Sequence, residues 1–160
     1  MIIFINGSIN SGKSTVAKIL AERLPNTAIL EIDSLREMIG WLPLDKAIPI
    51  NLENAVLIIK NFSKRNINVI VPYPLSKSNY EYMVDELETV NVDIYCFTLS
   101  PALGEILKNR DGRVLNKWEE ERIKYHYSVG INNPSFGVVI DNTHQTPEKT
   151  MMEILKNIKL

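Results

Sequence analysis

The sequence predicts an α/β fold: a mainly parallel β-sheet covered by helices on both faces. Short apolar runs of strand length alternate with longer segments whose apolar residues recur at helical spacing, the pattern of repeated βαβ units. A polar or turn-forming residue follows each apolar run, namely Gly7, Asp33, Pro72, Ser100 and Asp141. In such a sheet the carboxyl ends of the strands share one rim, and ligands bind there.

Each element follows in order. Ile2, Ile3, Phe4 and Ile5 form a buried strand. A glycine-rich turn runs from Gly7 to Gly12, and a helix with apolar Val16, Ala17, Ile19, Leu20 and Leu24 begins near Lys13 and ends at Pro25. Ala28 to Ile32 reads as the second strand. A second helix then starts at Ser34, whose spacing to Glu37 matches a capping box and leaves Asp33 one residue outside. Trp41 to Ile50, with Pro43 and Pro49, reads as a loop, and Asn51 to about Arg65 as a helix. Ile67 to Val71 is the third strand, broken by Pro72 and Pro74. An amphipathic helix follows through Tyr80, Met83, Val84, Leu87 and Val90. Val92 to Leu99 is the fourth strand, after which Ser100-Pro101 has the form of an N-cap opening a short helix. The polar segment around 109–118 is expected to be a mobile lid, followed by a charged helix from Trp118 to Tyr127 ending near Gly130. Phe136 to Ile140 is the fifth strand, and Thr146-Pro147 opens the last helix.

Composition bounds the function. The 160 residues suit one domain (1–160) with a real core, and 45% apolar against 23% charged residues argues against disorder and coiled coil. A net charge of −1 removes the broad positive field of a duplex nucleic-acid binder. Cys96 is the only cysteine, so no internal disulfide forms, and a cytoplasmic location is expected. No apolar run is long enough to span a membrane.

The residue types in Gly7-Ser8-Ile9-Asn10-Ser11-Gly12-Lys13-Ser14 suit phosphate. Gly7 and Gly12 let successive N–H groups point inward at phosphate oxygens, and the following helix adds the positive end of its dipole. Lys13 reaches the β- and γ-phosphates of a nucleotide, and the Ser14 hydroxyl ligates a bridging Mg²⁺. Asp33 and Arg36, three apart at a helix start, face one side of its first turn. The alternative for Asp33 is a plain helix cap. Arg36 in a first turn opposes the helix dipole and so asks for another role. Arg110-Asp111-Gly112-Arg113 supplies arginines that neutralise charge on a transferring phosphoryl group, with a solvated basic loop as the equal alternative. Trp41 and Tyr73, with Met38, Leu42, Tyr80 and Trp118, are candidates for an apolar acceptor pocket, and core packing accounts for most of them equally well.

In this order the phosphate loop, the Ile32-Asp33-Ser34-Leu35 segment, the Arg110 to Arg113 lid and the Ile140-Asp141-Asn142-Thr143 loop resemble the small P-loop kinases over nearly the whole chain. Within that superfamily the chain is most similar to chloramphenicol phosphotransferase-like proteins, with shikimate kinase and adenylylsulfate kinase as broader relatives. The resemblance implies a P-loop NTPase fold with a five-stranded parallel sheet in order 2-3-1-4-5, and ATP- and Mg²⁺-dependent transfer to the hydroxyl of a small molecule. It implies that Asp33 is the acceptor-side aspartate and general base, also near the metal, and that Arg110 and Arg113 lie by adenine and phosphates. The Asp141 to His144 loop would border the adenine. The residues assigned to nucleotide are thus Gly7, Ser8, Asn10, Ser11, Gly12, Lys13, Ser14, Thr15, Arg110, Thr143 and His144.

Asp33-x-x-Arg36 is also similar to the motif of 5′-hydroxyl polynucleotide kinases, where the arginine holds the acceptor phosphate, and this is the alternative acceptor class. One departure stands out: the third strand ends Val71-Pro72-Tyr73-Pro74, without the acid that orients Mg²⁺ in many P-loop enzymes. A nucleotide-binding regulatory protein with little catalysis is the alternative from a different class. His126 and His144 lack partners at zinc spacing and are expected to be hydrogen-bonded surface residues, with His144 near nucleotide by position.

Overall fold

The computed structural model describes residues 1–109 and 112–159. Five strands, β1 (Ile2–Gly7), β2 (Thr27–Ile29), β3 (Asn68–Pro72), β4 (Ile94–Leu99) and β5 (Val138–Ile140), form one sheet in the order β2-β3-β1-β4-β5. All four pairings are parallel. Among the described residues seven α-helices connect and cover them: α1 (Lys13–Arg23), α2 (Ile32–Glu37), α3 (Leu44–Ser63), α4 (Lys77–Leu87), α5 (Leu103–Ile106), α6 (Lys117–Ser128) and α7 (Pro147–Lys156).

The central strand β1 is buried on both sides, so its alternate side chains feed two cores. Ile2 and Phe4 pack with α3 and α4 through Leu52, Ala55, Val56, Ile59, Met83 and Leu87. Ile3 and Ile5 pack with α1 and α7 through Val16, Ala17, Leu20, Met151 and Ile154. Tyr80 belongs to the first core: its ring stacks on Phe136 and meets Phe4 edge-on. A third, smaller cluster of Ile106, Leu115 and Ile123, with Ile9 against it, joins α5 and α6 to the glycine-rich turn.

Four local expectations are corrected. The second strand is shorter than Ala28 to Ile32: Leu30 makes one more sheet hydrogen bond to Ile70 (2.9 Å), and Ile32, fully buried, already opens α2. The Ser34–Glu37 capping box does not form. Glu31 occupies the N-cap, and Asp33 lies inside the first turn.

The expected loop over 41–50 is mostly helix, since α3 starts at Leu44 and runs through Pro49. Proline there removes one backbone donor. The buried stripe of Ala47, Asn51, Ala55 and Ile59 keeps the helix continuous, because tertiary packing outweighs local propensity. Ser100-Pro101 does not cap a helix. The Ser100 N–H donates to Ile140 (2.9 Å), extending the sheet ladder, and the Pro101 carbonyl accepts from the Tyr127 hydroxyl. α5 begins only at Leu103.

Candidate active site

At the carboxyl rim, Gly7 and Gly12 take left-handed backbone conformations (φ 138° and 94°) and turn the chain from β1 into α1. A Cβ on Gly7 would lie 2.6 Å from the Leu99 carbonyl oxygen, so the loop fits closely over β4. Polar side chains of the loop and of the strand before it hold it in place. Asn10, also left-handed, donates to the Ile106 (2.7 Å) and Lys108 (3.3 Å) carbonyls. Ser8 is fully buried and its hydroxyl meets His126 Nδ1 at 3.0 Å. Asn6 donates to Thr98 (3.0 Å) and to the Ile131 carbonyl (3.2 Å), and accepts from the Leu75 N–H (2.8 Å).

Above the loop lies a cleft of about 340 Å³ lined by Asn10, Gly12, Lys13, Ser14, Thr15, Glu31, Asp33, Pro72 and Arg113. Lys13 stays partly accessible along its stem, but its ammonium is enclosed and donates to the Ser8 carbonyl at 2.7 Å. That enclosure pushes its pKa down to about 8; the Asp33 and Glu31 carboxylates oppose the shift and Arg113 adds to it. Asp33 presents an open edge to solvent, yet partial burial of its carboxyl raises its pKa above the usual value, with Lys13 opposing. Each group thus favours the charged form of the other. Arg113 is held by Glu119 at 2.8 Å.

A second cavity of about 350 Å³ shares Gly12 and Thr15 with the first and extends toward Asn109, Asn142, Thr143, Gln145 and Thr150. Asn142 donates to the Ser11 carbonyl (3.0 Å), tying the loop after β5 to the phosphate loop. Thr143 accepts from the Ala102 N–H (2.8 Å) and is fixed by Asp141. The buried Ser11 Oγ and Asn142 Oδ1 have no partner among the described residues.

The structure therefore brings Lys13, Ser14, Thr15, Asp33 and Arg113 together, with Ser11 and Thr143 on the adjoining cavity. His144 is exposed and lines neither cavity. Arg110 lies outside the described residues. Arg36 falls in the last turn of the short helix α2, where the dipole favours a cation. Its guanidinium donates to the Ile39 and Leu42 carbonyls, both at 2.8 Å, and does not line the cleft. Trp41 is 82% exposed, whereas Tyr73 is buried beside the rim, its hydroxyl pKa pushed up to about 12 by burial and then by Asp33.

Two residues escape the sequence reading. Glu31 reaches the cleft although it sits in an apolar stretch, and an isolated acid at a strand end was the available signal. His126, expected at the surface, is 3% exposed and touches the phosphate loop. Its buried ring, near Arg122 and Lys13, has a pKa lowered to about 4 and is neutral. Asn116-Lys117-Trp118-Glu119 is a helix start: Asn116 and Glu119 form a capping box on α6.

A scan against protein-family models finds no match, and neither does a search of curated protein sequences. Solved structures do match. The tunicamycin resistance protein of Deinococcus radiodurans is 20% identical with a TM-score of 0.76, covering 99% of this chain and 95% of that one. The APS kinase of Mycobacterium tuberculosis, solved with AMPPNP and APS, is 17% identical with a TM-score of 0.74, covering 97% and 95%. A gluconokinase from Sinorhizobium meliloti 1021 is 18% identical with a TM-score of 0.71, covering 96% and 89%. The chain has the fold of the P-loop kinases, with the sheet order 2-3-1-4-5 that the resemblance implied. Among the described residues no helix is long and apolar enough to cross a membrane.

Proposed function

We propose that this chain is an ATP-dependent phosphotransferase acting on the hydroxyl of a small molecule. The observation that carries the reading is the single cleft in which Lys13, Asp33, Glu31 and Arg113 converge over the N-terminus of α1. A protein that only senses nucleotide has no need of a carboxylate facing the transferring phosphate. Lys13 and the loop amides bind the β- and γ-phosphates, while the cavity between Ser11 and Thr150 takes the nucleoside.

Asp33 orients the acceptor hydroxyl and takes its proton as the new O–P bond forms. The proton goes to the carboxylate, and the leaving group is the β-phosphate oxygen of ADP. Lys13 and Arg113 meet the negative charge that spreads over the transferring group. Arg36 holds the link after α2, leaving the acceptor to other residues.

The donor chemistry of the cleft fits Mg²⁺. Among the described residues no cluster of three or more His, Cys, Asp or Glu is present. The Ser14 hydroxyl with the Asp33 and Glu31 carboxylates offers the few hard oxygen ligands that magnesium takes alongside phosphates and water. Glu31 on the second-strand side supplies the acid that the third strand lacks. When bound, the ion neutralises phosphate charge.

The test is ADP release with ATP and Mg²⁺ over a panel of hydroxyl acceptors, oligonucleotides included. Lys13→Ala is expected to abolish acceptor-dependent release. Asp33→Asn is expected to keep ATP affinity and lose turnover. Equal loss of ATP affinity in both variants refutes the division of roles, and nucleotide binding without turnover on any acceptor replaces the enzyme with a regulatory protein.

A further inference from the structure

Ser8 joins the phosphate loop to the rest of the site at two points. Its carbonyl accepts from the Lys13 ammonium (2.7 Å) and from the Ser11 N–H (3.3 Å). Its hydroxyl is fully buried and meets only His126 Nδ1 (3.0 Å) among the described residues. One residue thus carries a contact to α6 on its side chain and a contact to the phosphate-binding lysine on its backbone. The next two residues are anchored as well: Ile9 packs against Ile106, Leu115 and Ile123, and Asn10 donates to the Ile106 and Lys108 carbonyls.

A buried pair of hydroxyl and imidazole is a poor choice for stability alone. Each group is satisfied only while the other is present, and an apolar pair of the same shape fills such a site at little net cost. The surroundings make a histidine costlier still. Burial, then Arg122 and Lys13, lower its pKa to about 4, so the ring stays neutral in a cationic neighbourhood. What the polar pair supplies and an apolar pair does not is direction. A hydrogen bond ties Ser8 to one point on α6, and a satisfied buried polar contact specifies a single arrangement where apolar packing tolerates several.

We propose that His126 is a positioning residue for the nucleotide: through Ser8 it sets the phosphate loop and the carbonyl on which Lys13 rests, so that the triphosphate meets a loop already in its binding shape. His126 itself touches neither nucleotide nor acceptor. The inference rests on the reading of Lys13 and the loop amides as the phosphate site, and extends that site to a side chain 118 residues from Ser8 in sequence. A loop held ready needs no ordering on binding, so loosening it is felt in affinity.

The test is calorimetric titration of AMPPNP with Mg²⁺ into wild type, His126→Phe, His126→Asn and the double variant Ser8→Ala/His126→Phe, with urea unfolding of each. His126→Phe should bind AMPPNP about tenfold more weakly at unchanged stoichiometry, the size of one lost hydrogen bond. His126→Asn keeps a polar atom near the place of Nδ1 and should recover affinity to within about threefold of wild type. The double variant should regain the urea stability lost in His126→Phe, because no buried hydroxyl is left unpaired, yet still bind AMPPNP about tenfold more weakly. It carries the test if His126→Phe fails to fold.

Recovery of stability and affinity together in the double variant overturns the inference, as does wild-type affinity in His126→Phe with only the stoichiometry reduced: the pair then serves folding alone. Affinity as low in His126→Asn as in His126→Phe overturns it too, since the bond and not the ring is what positions Ser8. ADP release measured alongside separates this inference from phosphotransfer. The expected AMPPNP results without acceptor-dependent release by wild type overturn phosphotransfer and leave the positioning role standing. Acceptor-dependent release with equal AMPPNP affinity in all four proteins does the reverse, and a wild type that binds no AMPPNP overturns both.

Discussion

Asp33→Asn should change the pH dependence of the free enzyme at both ends. Lys13 carries a pKa near 8 because its ammonium is enclosed, and Asp33 is one of the two carboxylates that keep the value from falling further. At pH 7 such a group is about nine-tenths protonated, and at pH 9 about one-tenth, so kcat/KM for ATP should fall about tenfold between the two. The acid limb reflects Asp33, whose pKa is raised by burial, so activity rises with pH as it loses its proton.

Replacing Asp33 by Asn removes the acid limb and withdraws a negative charge from Lys13, moving the alkaline limb below 8. Turnover should drop about hundredfold, the lower end for a lost general base, because a loose transition state asks little of it. The assay is ADP release at limiting ATP and fixed acceptor from pH 5 to pH 10, where kcat/KM reports groups of the free enzyme. An alkaline limb at the same pH in both proteins refutes the electrostatic pairing of Lys13 with Asp33. A limb near 10.5, the ordinary lysine value, refutes the enclosure itself.

His126 and Gly7 give two stability tests. The folded pKa of His126 is depressed to about 4 from 6.5, so the unfolded chain binds the extra proton and wild-type stability should fall by about 3 kcal/mol as pH drops across that window. His126→Phe should flatten this slope in urea titrations while costing about 1–3 kcal/mol at pH 7 for the stranded Ser8 hydroxyl. An unchanged slope refutes the buried neutral ring. Gly7→Ala drives a Cβ to 2.6 Å from the Leu99 carbonyl oxygen at a positive φ and should cost more than about 3 kcal/mol. Gly104→Ala, with nothing within 4 Å, should stabilise by up to about 1 kcal/mol, and equal melting of the two variants refutes the close fit over β4.

What was legible in the sequence is what local pattern encodes. Short apolar runs marked all five strands, apolar residues at helical spacing marked the long helices, and glycines at fixed spacing marked the phosphate loop. Boundaries went astray where tertiary contacts overruled local signals. Ser34 and Glu37 have capping-box spacing, but burial of Ile32 starts α2 two residues earlier. Pro49 reads as a breaker, but the buried stripe of α3 carries the helix past it. Arg36 looked misplaced in a first turn and is in fact in the last, capping carbonyls. Glu31 and His126 were missed for one reason: each reaches the cleft or the loop only because elements distant in sequence fold against each other.

Those long-range contacts share a direction. His126 and Tyr127 on α6, Ile131 just after it and Ile106 on α5 each bond to the phosphate loop, to its preceding strand or to the segment that follows β4. The Ser8 and Asn10 side chains therefore fasten the loop to α6, which also carries Glu119, the partner of Arg113, and to α5. Buried, bonded polar contacts resist being broken singly, so a displacement of the loop should be felt at α6 and α5 through Ser8 and Asn10. The loop and the cleft-lining Arg113 are thus joined through one helix, and a change at Ser8 should be felt at Glu119 and Arg113 without any direct contact between them.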